Sequence, residues 1–268
     1  MELGICSWTL GIKPIEQLMF TVKELGLDGL HFCEDFRKHE SKVVKEAAKR
    51  YGLTIFAIDP HDCFPQQTSE ATLAGAINFY SGVIDFAVNV NATWVTLQGL
   101  TNWTQNCKSE IEKNNFLTEA YKKLDSYAKL KKVKLAVKAV NRYESSMMNT
   151  ALECLNFLQQ LKNHNIGIIL DSFHMNIEEF DAVRAIREVN NDLVSYQISD
   201  SNRGGIGSGH IDFIQHYQTL KEIGFEGPVI IEIVLPHLAP NSTPRNLKER
   251  QQLENEIKRS ASVWKEIH

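Results

Sequence analysis

Little in this chain points to a membrane or to nucleic acid. No apolar run reaches the roughly 20 residues that span a bilayer, so no membrane association is expected. Lys and Arg number 29 against 33 Asp and Glu, a formal net charge of -4, which gives no basic footprint for DNA or RNA. The start, MELGICSWTLG, lacks a basic segment followed by an apolar one, so no secretory signal is expected. The five cysteines (Cys6, Cys33, Cys63, Cys107 and Cys154) include no C-x-x-C pair. An odd, unpatterned set favours a reducing, cytoplasmic setting. No Gly/Ser/Pro-rich linker divides the 268 residues, and one domain over 1–268 is expected.

What the chain does have is alternation. Short apolar runs predict strands at Leu3–Trp8, Gly29–Cys33, Thr54–Ile58, Thr93–Leu97, Leu135–Val140, Gly167–Leu170, Val194–Ser199 and Val229–Val234. Amphipathic stretches predict helices near 14–26, 39–51, 69–91, 109–132, 150–164, 178–189, 211–224 and 245–267. Eight strand–helix units in one chain of this length fit an α/β fold, a single closed (β/α)8 TIM barrel, better than an open parallel sheet. Such barrels build their active sites at the C-terminal ends of the strands. The polar residues there are Asp59 and His61, Gln98, Lys138 and Glu144, Asp171 and His174, Gln197, Asp200 and Arg203, and Glu232.

Any one of these could merely solvate a loop. Lys138, Asp171 and Glu232 differ, because each lies within or directly ends an apolar run. A buried ammonium needs a compensating charge, so Lys138 is expected to project toward Asp171 and Glu232 in a shared pocket.

Four segments carry a resemblance. ILDSFHMNIEE (Ile169–Glu179), VNRYES (Val140–Ser145), SDSNRGGIGSGHIDF (Ser199–Phe213) and GPVIIEIV (Gly227–Val234) resemble, in order and spacing, the signatures of the tagatose/psicose 3-epimerase group of ketose 3-epimerases. That group lies among the xylose isomerase-like TIM barrels. The resemblance implies an isomerase of carbohydrate metabolism acting on a small ketose, with no nucleic-acid partner and with homo-oligomers possible. It also implies one divalent ion (manganese, cobalt or magnesium) held by Glu, Asp, His and Glu from the last four strands. The two glutamates of that set exchange the C3 proton from opposite faces.

Asp171 and Glu232 match the second and fourth ligand positions, but Lys138 stands at the first and Gln197 at the third. A protonated lysine cannot ligate a cation, and an amide poorly replaces imidazole. If an ion is retained, Asp171 and Glu232 are its expected ligands and Gln197 a poor third. The substitutions argue instead for no ion at the inherited site. Three carboxylates with a divalent ion carry one net negative charge, and so do two carboxylates with an ammonium. Lys138 is thus expected to stand in for both the lost ligand and the ion. Glu144, His174 and Arg203 match positions that contact sugar oxygens in the family. Glu232 is the expected catalytic base and Lys138 the catalytic electrophile.

A second reading is a non-catalytic sugar-binding or regulatory descendant that keeps Glu144, His174 and Arg203 without the chemistry. A zinc-dependent DNA-repair barrel of the endonuclease IV branch is disfavoured by nine histidines and the negative charge. A Schiff-base aldolase at Lys138 is disfavoured by the two carboxylates, which hold the amine protonated. Asn176 and Glu178 read as a helix-cap region with acids in the first turn. Trp103 is expected either to stack on a sugar face or to cover the rim.

Overall fold

Eight parallel strands close on themselves in chain order in the computed structural model, which describes residues 1–267 except 61, 62, 64, 66, 163, 240 and 241. The strands are β1 (Leu3–Cys6), β2 (Gly29–Phe32), β3 (Thr54–Ile58), β4 (Trp94–Thr96), β5 (Lys134–Lys138), β6 (Ile166–Asp171), β7 (Leu193–Ile198) and β8 (Val229–Ile231). β1 pairs with β8, so no strand edge is left open. This is the (β/α)8 architecture that the alternation implies.

Around the barrel run α1 (Ile15–Glu24), α2 (Ser41–Tyr51), α3 (Leu73–Val90), α4 (Glu110–Lys131), α5 (Ala151–Leu161), α6 (Ser172–Glu178), α7 (Ala182–Val189), α8 (Phe213–Glu222) and α9 (Leu247–Glu266). The α3, α4, α5, α7 and α8 starts are capped by Thr72, Ser109, Thr150, Asp181 and Asp212, each accepting a backbone N–H of the first turn. By length and composition α3 alone among the described helices could cross a membrane. Here Tyr80, Val83, Ile84 and Ala87 of its inner face are buried in the main apolar layer between strands and helices. A smaller cluster of Cys6, Trp8, Cys33, Phe56, Ile230 and Val234 lies apart from that layer. Gly4 makes room for it, since a Cβ there would stand 2.8 Å from the Phe56 ring.

Three local expectations change. The first strand stops at Cys6, and Ser7–Leu10 coil into a tight turn closed by Gly11 at φ 62°, a conformation that favours glycine. The expected helix at 178–189 starts later, at Ala182, where Asp181 caps α7, and a separate short helix, α6, capped by Asp171, precedes it. Glu178 therefore ends α6 rather than opening a helix, and its carboxylate accepts the Arg142 backbone N–H (2.7 Å) and Nη2 (2.7 Å). Asn176 is an exposed residue of α6. Trp103 is buried in the apolar layer, with its ring centroid 5.5 Å from that of Phe79, so it offers no open face to a ligand.

Candidate active site at the barrel mouth

The last residue of β5 answers the question its charge raises. Lys138 is 4% exposed, and its Nζ lies 2.7 Å from Glu232 Oε2 and 3.0 Å from Asp171 Oδ2. Register explains the meeting. Lys138 pairs with Ile169, two residues before Asp171, so the long side chain reaches up one level to the carboxylate. Glu232 follows β8 directly, and its N–H still donates to Ile198 O (3.1 Å), which holds the residue in the sheet's line.

Arg203 joins the same cluster. Its Nη1 lies 3.3 Å from Asp171 Oδ2 and its Nη2 3.4 Å from Glu232 Oε1. The side chain also covers the Phe173 ring, with the guanidinium 4.7 Å from the centroid. Arg203 holds a left-handed backbone, φ 65°, costly for a residue with a Cβ. Two backbone bonds fix it there: its N–H donates to Asp200 O (2.8 Å), and its carbonyl accepts from Val234 N (2.9 Å). Two carboxylates and two cations therefore balance formally. The charge balance expected from the sequence includes only Lys138 of those cations.

Burial pushes the Asp171 carboxyl up, but the Lys138 and Arg203 charges outweigh it and hold it at about 2. The same balance lowers Glu232. Burial pushes Lys138 down, and Glu232 and Asp171 overcome this to raise it. The amine stays protonated, so it donates hydrogen bonds and forms no imine at ordinary pH.

His174 is buried, and its Nδ1 accepts the Asn141 backbone N–H (3.2 Å) with the Asn141 Nδ2 at 2.8 Å. Burial holds the ring well below its usual range, with the Lys138 and Arg203 charges acting the same way. The neutral ring thus carries its proton on Nε2. That nitrogen lies 3.6 Å from Asp171 Oδ2 and has no hydrogen-bond partner. Asn141 Nδ2 also donates to Glu144 Oε1 (3.2 Å), which ties Glu144 to the inner group.

Gln197 departs from expectation. It pairs with Asp171 in the β6–β7 register, but its Nε2 turns to His31 Nδ1 (3.3 Å) and Cys6 Sγ (3.7 Å), and its buried Oε1 has no partner. It makes no hydrogen bond to Lys138, Asp171 or Glu232. Burial pushes His31 down to about 3, so the ring is neutral and accepts at Nδ1. Asp200 serves its loop, accepting the N–H groups of Ser201 (2.8 Å), Gly207 (2.8 Å) and Ile211 (3.1 Å). Asp59 and Gln98 open the loops after β3 and β4, and His61 lies outside the described residues.

Sequence reasoning missed Trp8, Asn141 and His31. Trp8 Nε1 donates to Glu232 Oε1 (2.9 Å), so that carboxylate faces three donor side chains. Asn141 stands directly after the buried Val140, where the strand-end rule applied. His31 interrupts the apolar run GLHF much as Lys138 interrupts its own.

The donor set does not fit a divalent ion. An ammonium stands between the two carboxylates, and the unpartnered His174 nitrogen bears a proton. Among the described residues, no three His, Cys, Asp or Glu side chains are placed to hold a metal.

A xylose isomerase-like TIM barrel model matches residues 20–266. The chain belongs to this family. Over 112 residues it is 38% identical to a ketose 3-epimerase of Arthrobacter globiformis, which covers 40% of this chain and 39% of that enzyme. The chain thus spans well under half the length of that relative. The D-psicose 3-epimerase of Clostridium cellulolyticum H10, solved with D-tagatose, superposes with a TM-score of 0.86 at 20% identity, covering 100% of this chain and 99% of the other. An E. coli 3-keto-D-glucoside 4-epimerase superposes with a TM-score of 0.82 at 19% identity, covering 98% of this chain and 99% of the other. At such identities the superpositions show the family's barrel.

Proposed function

We propose that this chain binds a small ketose or related polyol ketone at the barrel mouth and moves a proton beside its carbonyl without a divalent metal. The observation that carries the reading is the Lys138 ammonium, fixed between Glu232 and Asp171 at 2.7 and 3.0 Å. The relatives support the substrate class, since the A. globiformis enzyme is a ketose 3-epimerase and the E. coli barrel a 3-keto-D-glucoside 4-epimerase. Lys138 replaces the glutamate that resembling enzymes use as ligand and second base, and its charge replaces that of the ion.

In this reading Lys138 hydrogen-bonds the ketose carbonyl oxygen, stabilises the enediolate and passes a proton to that oxygen, being reprotonated from the neighbouring O1 hydroxyl. Glu232 removes the proton from C1, next to the carbonyl, and returns it to C2, the former carbonyl carbon. One base suffices for that transfer, so aldose–ketose isomerisation suits the site better than two-base C3 epimerisation. The Nε2–H of His174 is a ready donor to a sugar oxygen, and Arg203 and Glu144 orient the others.

One observation favours a second reading, a sugar-binding protein without turnover. Glu232 accepts from Trp8 and Lys138 and lies against Arg203, and its pKa is lowered. A carboxylate so satisfied is a weak general base. Proton NMR in D2O with a chelator present separates the two. The catalytic reading predicts deuterium entering C1 or C3 of a bound ketose. Saturable binding with no exchange at either carbon supports the second reading, and no binding of any ketose ends both.

A further inference from the structure

The loop after β4 and the loop after β5 flank an open cleft of about 430 Å³, within the roughly 300–1,000 Å³ of small-molecule sites. Asn102 and Gln105 come from the loop after β4, Glu144, Ser145 and Ser146 from the loop after β5, and Lys113 from α4. We propose that this cavity is a second sugar compartment, so that the preferred ligand is a ketose bearing a further neutral glycosyl unit. The proposal rests on the ketose reading of the inner site.

Three features carry it. The lining is amide, hydroxyl and charged, which suits a ring covered in hydroxyls. Neither the Asn102 carboxamide nor the Ser146 hydroxyl has a hydrogen-bond partner among the described residues. Glu144 commits Oε1 to Asn141 and keeps Oε2 for a ligand.

The second feature is continuity. Glu144 belongs to both spaces, because Asn141 Nδ2 bridges its Oε1 (3.2 Å) and His174 Nδ1 (2.8 Å). A glycosyl group in the cavity would therefore share a wall residue with the ketose held by His174. A free monosaccharide at the ion cluster would leave the cavity to solvent.

The third is charge. Lys113 is the cavity's cation, and its Nζ is paired with Glu110 at 2.7 Å, while Glu144 adds a negative charge. A phosphate group there would meet no free cation, so the extra unit is a neutral sugar.

Isothermal titration calorimetry with D-fructose, lactulose and palatinose tests this, the last two being fructose glycosylated at different hydroxyls. Two or three added hydrogen bonds predict that one disaccharide binds about tenfold more tightly than D-fructose. Ser146→Trp, at an exposed position, should remove that gain and leave D-fructose affinity unchanged. Gln105→Trp, also exposed, blocks the opposite side and should do the same. If D-fructose binds but neither disaccharide binds more tightly, or if both plugged variants keep the gain, this inference fails while the ketose reading stands. If no ketose binds, both fail.

Discussion

Lys138 and Glu232 come from strands three places apart in the barrel, and their charged atoms lie 2.7 Å apart with both side chains buried. Breaking a buried pair by removing one partner typically costs 3–5 kcal/mol. Arg203 also lies against both carboxylates, so the loss here should fall at the lower end. Lys138→Met is expected to destabilise the fold by about 3 kcal/mol in denaturant titration. Adding Glu232→Gln should recover much of it, since the remaining Asp171 carboxylate is then balanced by Arg203. A single variant as stable as the parent would contradict the pairing.

Acid should release the same cluster over a defined range. Asp171 titrates at about 2 in the fold, against an ordinary 3.8. A depressed carboxylate contributes stability that is present above its unfolded pKa and is lost as pH falls through the folded one. Stability should therefore fall between about pH 4 and pH 2, with this residue contributing on the order of 2 kcal/mol. In Asp171→Asn that portion of the slope should vanish. A parent whose stability is flat across this range would contradict the assignment.

Asn141 is expected to matter to ligand rather than to fold alone. It supplies both donors to His174 Nδ1 and so fixes the proton on Nε2. Asn141→Ala leaves the backbone donor but frees Glu144 and loosens the ring. Ketose affinity should drop about tenfold, measured by calorimetry. His174→Phe should lower affinity at least as far, because it removes the Nε2 donor itself. Unchanged affinity in both variants would remove His174 from the site.

How much of this was legible follows from the residues themselves. The barrel was legible because eight apolar runs alternate with amphipathic ones, and β6 and β7 fell close to their expected bounds. Lys138, Asp171 and Glu232 were legible because charge inside an apolar run has few bland explanations. His31 carries a similar signal in GLHF, but a neutral histidine is an ordinary core residue, and nothing marked it. Trp8 reads as apolar packing, and only the turn at Ser7–Leu10 brings its indole N–H to Glu232. The sequence suggests a sugar contact for Arg203. Its ion pairing depends on a left-handed backbone that no local propensity announces. Helix α6 has seven residues, too few for periodicity to separate from the strand before it. Gln197 was placed correctly in its strand, yet its side-chain direction was decided by His31 across the barrel.

Restoring the residue types of the resembling enzymes should restore their chemistry. Lys138→Glu with Gln197→His returns a carboxylate and an imidazole beside Asp171 and Glu232, a set suited to manganese or cobalt. The double variant should bind either ion and gain measurable ketose 3-epimerase activity. The imidazole must swing away from His31 for this, so Gln197→His alone should bind no metal while Lys138 remains. Metal binding by that single variant would show that the ammonium is no barrier.

The central claim is that the Lys138 ammonium stands where a divalent ion would otherwise sit. Anomalous diffraction at the manganese edge, from crystals of the unaltered protein grown in excess manganese, tests it directly. The account predicts no anomalous peak between Asp171 and Glu232, with Nζ of Lys138 in hydrogen-bond contact with both carboxylates. A full-occupancy manganese peak ligated by those two residues, with Lys138 displaced, would contradict it.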